Sequence, residues 1–521
     1  MPSDDPRPVA DDVFSKREAI LLAVAAMTVA ATLMVLLSRV VTLDDAYITF
    51  RYARHLADGY GLGAWNRMGE RVEGYSSLLW TLLLAGAAHS GIDIWLASKV
   101  LGVCAAILVL GALMHRRDDR PAFLAGLFLA LYLPFVFYAA SSMEAVAFTG
   151  LVTLALVGPA RCQPIVAPLL VAMRPEGALV AGVGTLSLAW RRERPQTIVA
   201  TAVAAGLTFT AIALHRWTTF HALAPNTYYA KVAGGGVWHM KLGLAYVGSW
   251  MLAHAAVLAF LAMGAVALRR GGDRRGWTCL ALFVAYILYL TTAGGDAPTA
   301  FPFWRQFVHV APAWVRVAMS GLTTVLPQRR WAQVAATVAL VLAANLCIAL
   351  VQERGGPRPG NADYVSWLKS LATPTTTISS SYAGALPFLI DAVHIDALGL
   401  NTPYIAHHGT FDPDGPQDSK TDMRWVVDQR PDIIEGYLSG LALRRAAGRE
   451  EILGTRRHKM ILEMVLSPRF QREYLFVRNA PYDRMDRAAF LRRDFWEHHP
   501  RRATLDCVPV AETALAAFAS W

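Results

Sequence analysis

Long apolar stretches separated by short polar segments fill the first two thirds of the chain. A helix of roughly 20 apolar residues crosses a bilayer. Residues 164–190 are too few for two full spans and contain Arg174-Pro175, where proline disfavours a helical conformation of the preceding residue. We therefore expect two short half-helices there, breaking at residues 174–177. Full spans are predicted near residues 19–38, 94–114, 121–140, 145–158, 197–220, 243–268, 276–293, 306–327 and 331–351.

Basic residues cluster between the apolar stretches, and cytoplasmic loops of membrane proteins collect Lys and Arg. The clusters are Lys16-Arg17, Arg116-Arg117 with Arg120, Arg161, Arg191-Arg192 with Arg194, Arg269 to Arg275, and Arg329-Arg330. If all lie on one side, an even number of crossings separates neighbours, so the short apolar run at 76–90 is predicted to lie at the outer interface. About eleven spans result, with a cytoplasmic N-terminus, an outer loop at 39–93 and residues 352–521 outside.

Composition supports a division of the chain at residue 351. Residues 1–351 contain 28 Lys and Arg and 18 Asp and Glu, whereas residues 352–521 contain 21 of each. We therefore predict a helical membrane domain at 1–351 and a soluble, extracytoplasmic domain at 352–521. Arginines in cytoplasmic loops account for the net charge of +10, so the charge does not indicate a nucleic-acid partner. Five scattered cysteines without CxxC spacing indicate neither a disulfide framework nor structural zinc.

The C-terminal segment is predicted to be an α/β domain. Residues 364–371 and 444–466 have helical patterns, and residues 375–380 and 432–434 are strand-like. Polar residues suited to bind glycan are Asp391, Asp396, His407, His408 and Lys420. The spacing of His407-His408 to Asp412 and Asp414 matches no firm metal-ligand motif, so we expect a solvated loop there.

Under the predicted topology, nearly all acidic residues of the membrane domain outside cytoplasmic loops lie at its outer face. They are Asp44, Asp45, Asp58, Glu70, Glu73, Asp93, Glu144, Glu176 and Asp296. The cationic residues Arg174, Arg305 and Lys231 lie at the same level. Ionisable groups near a bilayer are costly and tend to face a polar cavity, although each alone also suits a helix cap or a headgroup contact. The set predicts a cavity that opens to the outside.

Asp44 and Asp45 follow the first span directly and begin an amphipathic stretch at residues 46–54. One aspartate at this position is explained as a helix N-cap. Two are not needed for capping, and adjacent carboxylates repel, so one of them is a candidate proton acceptor.

Six motifs follow one another along the chain. They are LDDAYITFRYARHLADGYGLGAWNRMGERVEGYSSLLWTLLL, SSMEAVAFTG, AMRPEGALV, APNTYYAKV, AGGDAP with a following Arg, and SYAGALPFLIDAVHIDALGLNTPYIAHH. Together they resemble the GT-C membrane glycosyltransferases, and within them the terminal arabinofuranosyltransferases of cell-wall arabinan and related enzymes that use polyprenyl-phosphate sugars. The resemblance covers roughly residues 40–435. The segment FPFWRQF departs from it, since relatives place Arg sooner after Gly-Gly-Asp, and residues 416–420 lack a Gly-His pair before Lys420.

The resemblance implies a GT-C fold and transfer of a sugar, plausibly arabinofuranose, from a polyprenyl-phosphate donor to an envelope glycan or protein acceptor. Asp44, and after it Asp45, is the expected base for the acceptor hydroxyl. Arg174, Arg305 and Lys231 are expected to bind the donor phosphate. The residues expected to contact the substrates are Glu73, Glu144, Asn226, Tyr228, Tyr229 and Asp296.

Other roles stay open at this point. Glu144 is suited to orient Arg174, to bind acceptor hydroxyls or to hold a metal, and a divalent cation between Asp44, Asp45 and Glu144 is a possible cofactor, although no metal site is assigned. The alternative functions are a flippase for a lipid-linked sugar and a non-catalytic glycan receptor. A flippase needs charges along the membrane core, and Arg316 is the main ionisable residue away from the outer face.

Overall fold

Most of the described residues between 16 and 352 belong to α-helices, and the long apolar ones lie where the hydrophobic pattern predicts them. The computed structural model describes residues 14–296, 303–326, 329–352, 362–411, 420–437, 464, 467–477, 480 and 487–510. The helices are α1 (Lys16–Ser38), α2 (Asp44–Ala57), α3 (Leu78–His89), α4 (Ile94–Met114), α5 (Arg120–Leu131), α6 (Leu133–Ala140), α7 (Ala145–Val157), α8 (Gln163–Met173), α9 (Gly177–Trp190), α10 (Pro195–Phe220), α11 (Asn226–Lys231), α12 (Gly236–Ala253), α13 (Ala255–Gly271), α14 (Arg274–Ala293), α15 (Arg305–His309), α16 (Ala311–Val325) and α17 (Arg330–Gln352).

The lengths of these helices fit a multi-pass membrane protein. Within the described residues, the five helices α1, α4, α10, α14 and α17 are long and apolar enough to cross a bilayer, and the bent pairs α5–α6 and α12–α13 raise the number to seven. Shorter apolar helices include α3, α7 and α9. The predicted half-helices at 164–190 are present as α8 and α9, which break at Arg174. The total of eleven spans and their direction remain predictions.

Two stretches that the sequence predicts as single spans are bent. Helices α5 and α6 meet at 63°, and α12 and α13 meet at 93°. At the first bend, Asn345 of α17 accepts from the Leu133 amide (3.0 Å) and donates to the Leu131 carbonyl (2.9 Å). His254 lies at the second bend, where its ring bonds to the Tyr132 hydroxyl (2.7 Å) and the Trp250 carbonyl (2.8 Å). Side chains from other helices thus bond at both breaks, which hydropathy alone does not show.

Arg316 lies at the end of the bundle opposite to the acidic residues that the sequence predicts at the outer face. Its guanidinium pairs with Asp119 (3.0 Å) and Asp273 (2.9 Å). Each of these aspartates caps the first turn of a helix, α5 or α14, within a loop predicted to be cytoplasmic. Arg316 therefore joins two helix starts at that end, and its contacts are those of a buried structural ion pair.

The C-terminal part is a mixed α/β unit. Its helices are α18 (Ala362–Leu371), α19 (Ala385–Leu389), α20 (Pro403–His408), α21 (Met423–Asp428), α22 (Pro468–Glu473) and α23 (Arg493–His498), and its strands are β1 (Thr377–Ser380), β2 (Val393–Asp396), β3 (Thr410–Phe411), β4 (Lys420–Thr421), β5 (Ile433–Tyr437), β6 (Tyr474–Val477), β7 (Arg487–Arg492) and β8 (Cys507–Pro509). Six strands form a sheet in the order β2-β1-β5-β7-β6-β8. Strand β1 is parallel to β2 and β5, and the other pairs are antiparallel.

These elements confirm the α/β prediction and correct one detail of it. The helix predicted at 364–371 and the strands predicted at 375–380 and 432–434 match α18, β1 and β5. His407 and His408 end helix α20, so the expectation of a loop at these two residues was wrong. Asp412, Asp414 and nearly all of the helix predicted at 444–466 lie outside the described residues.

Helices α13 and α16 are in direct backbone contact at Gly264 and Gly321. A Cβ atom on Gly321 would lie 2.0 Å from the carbonyl oxygen of Phe260, and one on Gly264 would lie 1.9 Å from that of Val317. Only glycine permits this approach, because any larger residue would force the helices apart.

We expect Gly321→Ala to destabilise the membrane part by about 1–3 kcal/mol, the usual cost of overpacking. Gly248→Ala in α12 is the matched control, since its Cβ would meet no atom within 4 Å. Thermal unfolding of the purified protein, followed by tryptophan fluorescence, measures both. Equal melting temperatures for the two variants would show that the α13–α16 contact is not tight.

Candidate active site

The two aspartates at the start of α2 point to different partners. The N-cap of α2 is Leu43 and no side chain caps this helix, so the capping role expected for an aspartate was wrong. Asp44 is exposed, and its Oδ1 accepts a hydrogen bond from the amide of Ala385, the first residue of α19 (2.8 Å). The Asp45 side chain is 25% exposed, and its Oδ2 lies 3.5 Å from Nη1 of Arg305. One carboxylate therefore contacts the α/β domain, and the other contacts a buried arginine.

Arg305 connects the aspartate pair to the loop after α14. Its Nε and Nη2 donate to the two carboxylate oxygens of Asp296, at 3.2 and 3.0 Å. Burial raises the pKa of Asp296, but the positive charges of Arg305 and Lys231 outweigh burial and hold the pKa below its usual value. Asp296 is therefore ionised at neutral pH, and it fixes the guanidinium plane through two parallel bonds.

The position of Asp296 depends on the glycine before it. Gly295 has a positive φ of 65°, and a Cβ there would lie 2.5 Å from the ring of Tyr246. The backbone of this loop can thus pass the buried tyrosine only without a side chain.

A second buried arginine lies at the break between α8 and α9. Arg174 has extended backbone angles and follows the last helical residue of α8. Its Nη1 pairs with Glu144, and its Nε donates to Oε1 of Glu176 at 2.6 Å. The same oxygen of Glu176 lies 3.4 Å from the Tyr286 hydroxyl and from Nδ1 of His309. Of the roles open to Glu144, the structure shows a contact that orients Arg174.

Helix α11 places the remaining predicted residues. Lys231, at its end, lies close enough to Asp296 and to Asp396 of the α/β domain for its positive charge to act on both carboxylates. Burial nevertheless raises the pKa of Asp396 above its usual value. The Asn226 side-chain amide donates to the carbonyls of Gly399 (2.8 Å) and Leu400 (2.9 Å). Asn226 thus holds the two parts of the chain together.

Glu73 and the two tyrosines have separate environments. Glu73 accepts two bonds from Arg216 of α10, at 2.6 and 2.9 Å. Burial raises the pKa of Glu73, and the bonds from Arg216 oppose this rise. Tyr228 is 45% exposed, and the ring of Tyr229 lies 4.4 Å from that of His407. Of these three residues, Tyr228 has the side chain most open to a substrate.

The sequence interpretation missed two residues beside the aspartate pair. Lys99 of α4 donates to the carbonyl of Ala140 (2.6 Å), the hydroxyl of Thr42 (3.1 Å) and the carbonyl of Val41. It joins the segment before Asp44 to the end of α6. Its sequence signal is a lone lysine within the apolar run at 94–114.

The other missed residue is Gly384, which precedes α19. A Cβ on Gly384 would lie 2.0 Å from the Asp44 carbonyl oxygen and 2.5 Å from Oδ2 of its carboxylate. The α/β domain therefore approaches Asp44 by bare backbone.

Asp45 and Glu144 pair with arginines, and Asp44 bonds to a backbone amide. Among the described residues, no three His, Cys, Asp or Glu side chains come together in an arrangement that could hold a metal ion. The set of Asp44, Asp45 and Glu144 considered from the sequence is thus not assembled as a metal site. Their contacts go to Ala385, Arg305 and Arg174, respectively.

Two solved structures of one protein, ArnT, share this fold. ArnT from Cupriavidus metallidurans bound to undecaprenyl phosphate is similar with a TM-score of 0.53 and 12% identity, over 92% of this chain and 98% of ArnT. The apo structure of ArnT gives a TM-score of 0.51 and 12% identity, over 90% and 97% of the two chains. Arabinofuranosyltransferase AftD from Mycobacteria is similar over 75% of this chain and 32% of its own, with a TM-score of 0.43 and 15% identity.

Sequence comparisons add one family match. The family described as a domain of unknown function, DUF8728, matches residues 351–491. No curated protein matches the chain. The likeness to ArnT confirms the predicted class: the chain is a polytopic membrane protein with a GT-C-like helical part and a C-terminal α/β region.

We expect Gly384→Ala to displace α19 from Asp44, because the new methyl group overlaps the aspartate backbone. Hydrogen–deuterium exchange of the peptides that contain Asp44 and Ala385 should then accelerate by about fivefold, since one hydrogen bond contributes roughly 1 kcal/mol. Gly86→Ala in α3, whose Cβ would meet no atom within 4 Å, should leave both peptides unchanged. Unchanged exchange in Gly384→Ala would mean that the domain does not rest on Asp44.

Proposed function

We propose that this protein is a membrane glycosyltransferase that moves a sugar from a polyprenyl-phosphate donor to an envelope glycan or protein acceptor on the outer face of the inner membrane. Two findings support the proposal: the fold shared with ArnT, whose structure holds undecaprenyl phosphate, and a cluster of buried charges beside a paired aspartate. We further propose arabinofuranose as the sugar, on the sequence motifs at residues 40–435.

The observation that carries the proposal is the arrangement around Arg305. Asp296 occupies Nε and Nη2 at 3.2 and 3.0 Å, whereas Asp45 lies 3.5 Å from Nη1, at the limit of a hydrogen bond. A phosphate oxygen that replaced Asp45 at Nη1 would leave the pair with Asp296 intact. Lys231 adds a second positive charge near the same carboxylate. Together they would stabilise the negative charge that grows on the phosphate as the glycosidic bond breaks.

The aspartate pair would supply the base. In this scheme a carboxylate of Asp44 or Asp45 takes the proton of the acceptor hydroxyl, the acceptor oxygen bonds to the anomeric carbon, and the carbon–oxygen bond to phosphate breaks. Asp44 is the more exposed of the two to an incoming acceptor. Asp45 lies beside Arg305, the cation proposed to bind the phosphate. Polyprenyl phosphate leaves with the bonding electrons, held by Arg305 and Lys231.

The remaining residues would position these groups and the acceptor. Glu144 and Glu176 both pair with Arg174 and more than balance its charge, so we propose that Arg174 fixes the loops that carry these glutamates rather than binding the phosphate itself. Tyr228, beside the α/β domain, offers an exposed ring to the acceptor sugar. Asn226 and Glu73 would hold helix α11 in place through Gly399 and Arg216.

We expect Arg305→Gln to lower the affinity of the full-length protein for undecaprenyl phosphate by about tenfold or more, because a charge-assisted contact to phosphate is lost. Asp44→Asn and Asp45→Asn should leave this binding within about twofold, and the variant that lacks the base should lose about a hundredfold or more in turnover. Native mass spectrometry measures lipid binding, and a transfer assay with the purified protein measures turnover.

Two controls keep this experiment decisive. Arg472→Gln removes an exposed arginine of α22 and should bind the lipid like the unmodified protein. Arg305→Lys keeps one positive charge against Asp296 and should recover binding only in part, since lysine lacks the two-pronged contact. Equal affinity in Arg305→Gln and Arg472→Gln, with both folded, would remove Arg305 from the phosphate site. Full turnover in both aspartate variants would rule out the pair as the base.

The outer-face assignment has its own test. Because the loop at 39–93 contacts the α/β domain through Asn66 and His394, both must lie on one side of the membrane. We expect a reporter fused after residue 360 to be active only outside the cytoplasm, as the basic-cluster argument requires. Cytoplasmic activity of that fusion would place Asp44 on the inner face.

A further inference from the structure

A basic cavity lies between the C-terminal half of α2 and the α/β domain, apart from the aspartate pair. Its volume is about 240 Å³. Helix α2 contributes Arg51 and Arg54, and the loop after it contributes Arg67. The α/β domain contributes Lys369 and residues 388–391. The scheme proposed above uses none of these residues.

The positive charges of this cavity are only partly neutralised. Arg51 is buried and donates hydrogen bonds to the main-chain oxygens of Trp65 (2.7 Å) and Ala392 (3.2 Å). These carbonyl groups carry no net charge, so they do not cancel the charge of the guanidinium. Arg54 donates to the Phe388 carbonyl (3.2 Å) and lies over the Phe388 ring at 3.6 Å. Among the described residues, neither arginine has a carboxylate within 4.0 Å. Arg67 pairs with Asp391 at 2.9 Å.

The charge state of the neighbouring histidine reflects this excess. Burial and the positive charge of Arg51 lower the pKa of His55 to about 4, so this ring is neutral at neutral pH. Four cationic side chains line the cavity against two carboxylates, Asp58 and Asp391. A net positive cavity without a bound anion is electrostatically unfavourable, and an oxyanion would relieve the repulsion.

The cavity lies near the start of a helix that is predicted to span the membrane. Arg54 is close enough to Asp93 for their charges to interact, and Asp93 caps the first turn of α4 by accepting from the Leu96 amide (2.8 Å). Helix α4 is long and apolar enough to span a bilayer. Ile92 and Leu96, which flank this start, are 50% and 51% exposed. Exposed aliphatic side chains beside basic ones are typical of a surface that contacts lipid headgroups.

We propose that the cavity lined by Arg51, Arg54, Arg67 and Lys369 binds the phosphate group of an anionic membrane lipid. The cavity is lined by residues of both the membrane part and the α/β domain. Because Arg54 belongs to the membrane part and Lys369 to the α/β domain, one phosphate between them would link the two parts at the bilayer surface. The site does not depend on sugar transfer, so it stands or falls separately from the proposed function.

The test compares lipid retention by full-length variants. The purified protein is reconstituted with phosphatidylglycerol and phosphatidylcholine, and native mass spectrometry counts the lipids that remain bound. We expect the double variant Arg54→Gln/Lys369→Gln to retain about tenfold less phosphatidylglycerol, since two charge contacts to the phosphate are removed. Arg424→Gln/Arg472→Gln is the matched control, because it removes two exposed arginines of α21 and α22.

The outcomes separate the possible sources of the phosphate. Loss of phosphatidylglycerol in the cavity variant alone, with its melting temperature unchanged, supports the proposal. Equal retention in the cavity variant and the control overturns it. Displacement of the lipid by inorganic phosphate, beyond that caused by chloride of equal ionic strength, would also overturn it, because the site would then bind a free oxyanion.

Discussion

An ionised group buried at the level of a membrane must have a partner, because desolvation of an unpaired charge costs several kcal/mol. This constraint organises the predicted outer end of the helical part. Asp296 holds Arg305 through two bonds, and Glu144 and Glu176 hold Arg174. The contacts of Arg174 with Glu144 and of Arg305 with Asp45 join residues that lie 30 and 260 positions apart in the chain. The loops at the ends of short apolar helices thereby acquire fixed positions that hydrophobic packing alone would not give them.

The sequence predicts those features that depend on local pattern. Apolar runs located α1, α4, α10, α14 and α17, and a proline after Arg174 located the break between α8 and α9. The bends at Tyr132 and His254 were not predictable in this way. They depend on side chains such as Asn345, more than two hundred residues along the chain from the Leu133 amide that it accepts from.

The sequence predicted which residues form the candidate site, but it predicted only part of the contacts between them. Clustered carboxylates and cations at one face follow from the topology argument, and Asp45, Asp296 and Arg305 do meet. Glu73 and Asn226 are polar like these three residues, yet their side chains bond to Arg216 and to the Gly399 carbonyl instead of joining the cluster. The partner of Asp44 was not predictable either, because Ala385 and Gly384 present backbone atoms, and backbone has no residue-specific signal. Hydrogen bonding by main chain becomes visible only once both parts are folded against each other.

The contacts between the two parts also bear on how a transfer site of this kind could work. Under the proposed function, the contact between Asp45 and Arg305 would change when the donor binds. Without donor, the Asp45 carboxylate lies 3.5 Å from Nη1 of Arg305, and a phosphate that binds Nη1 would release Asp45. Asp44 stays tied to Ala385 through Oδ1, and its Oδ2 lies on the side of Gly384. Donor binding would therefore release Asp45 from Arg305 while the α/β domain still holds Asp44. The acceptor hydroxyl would then meet both carboxylates only after the phosphate has bound. Such an order would also keep Arg305 from losing both of its carboxylate contacts at once, because the pair with Asp296 is untouched throughout.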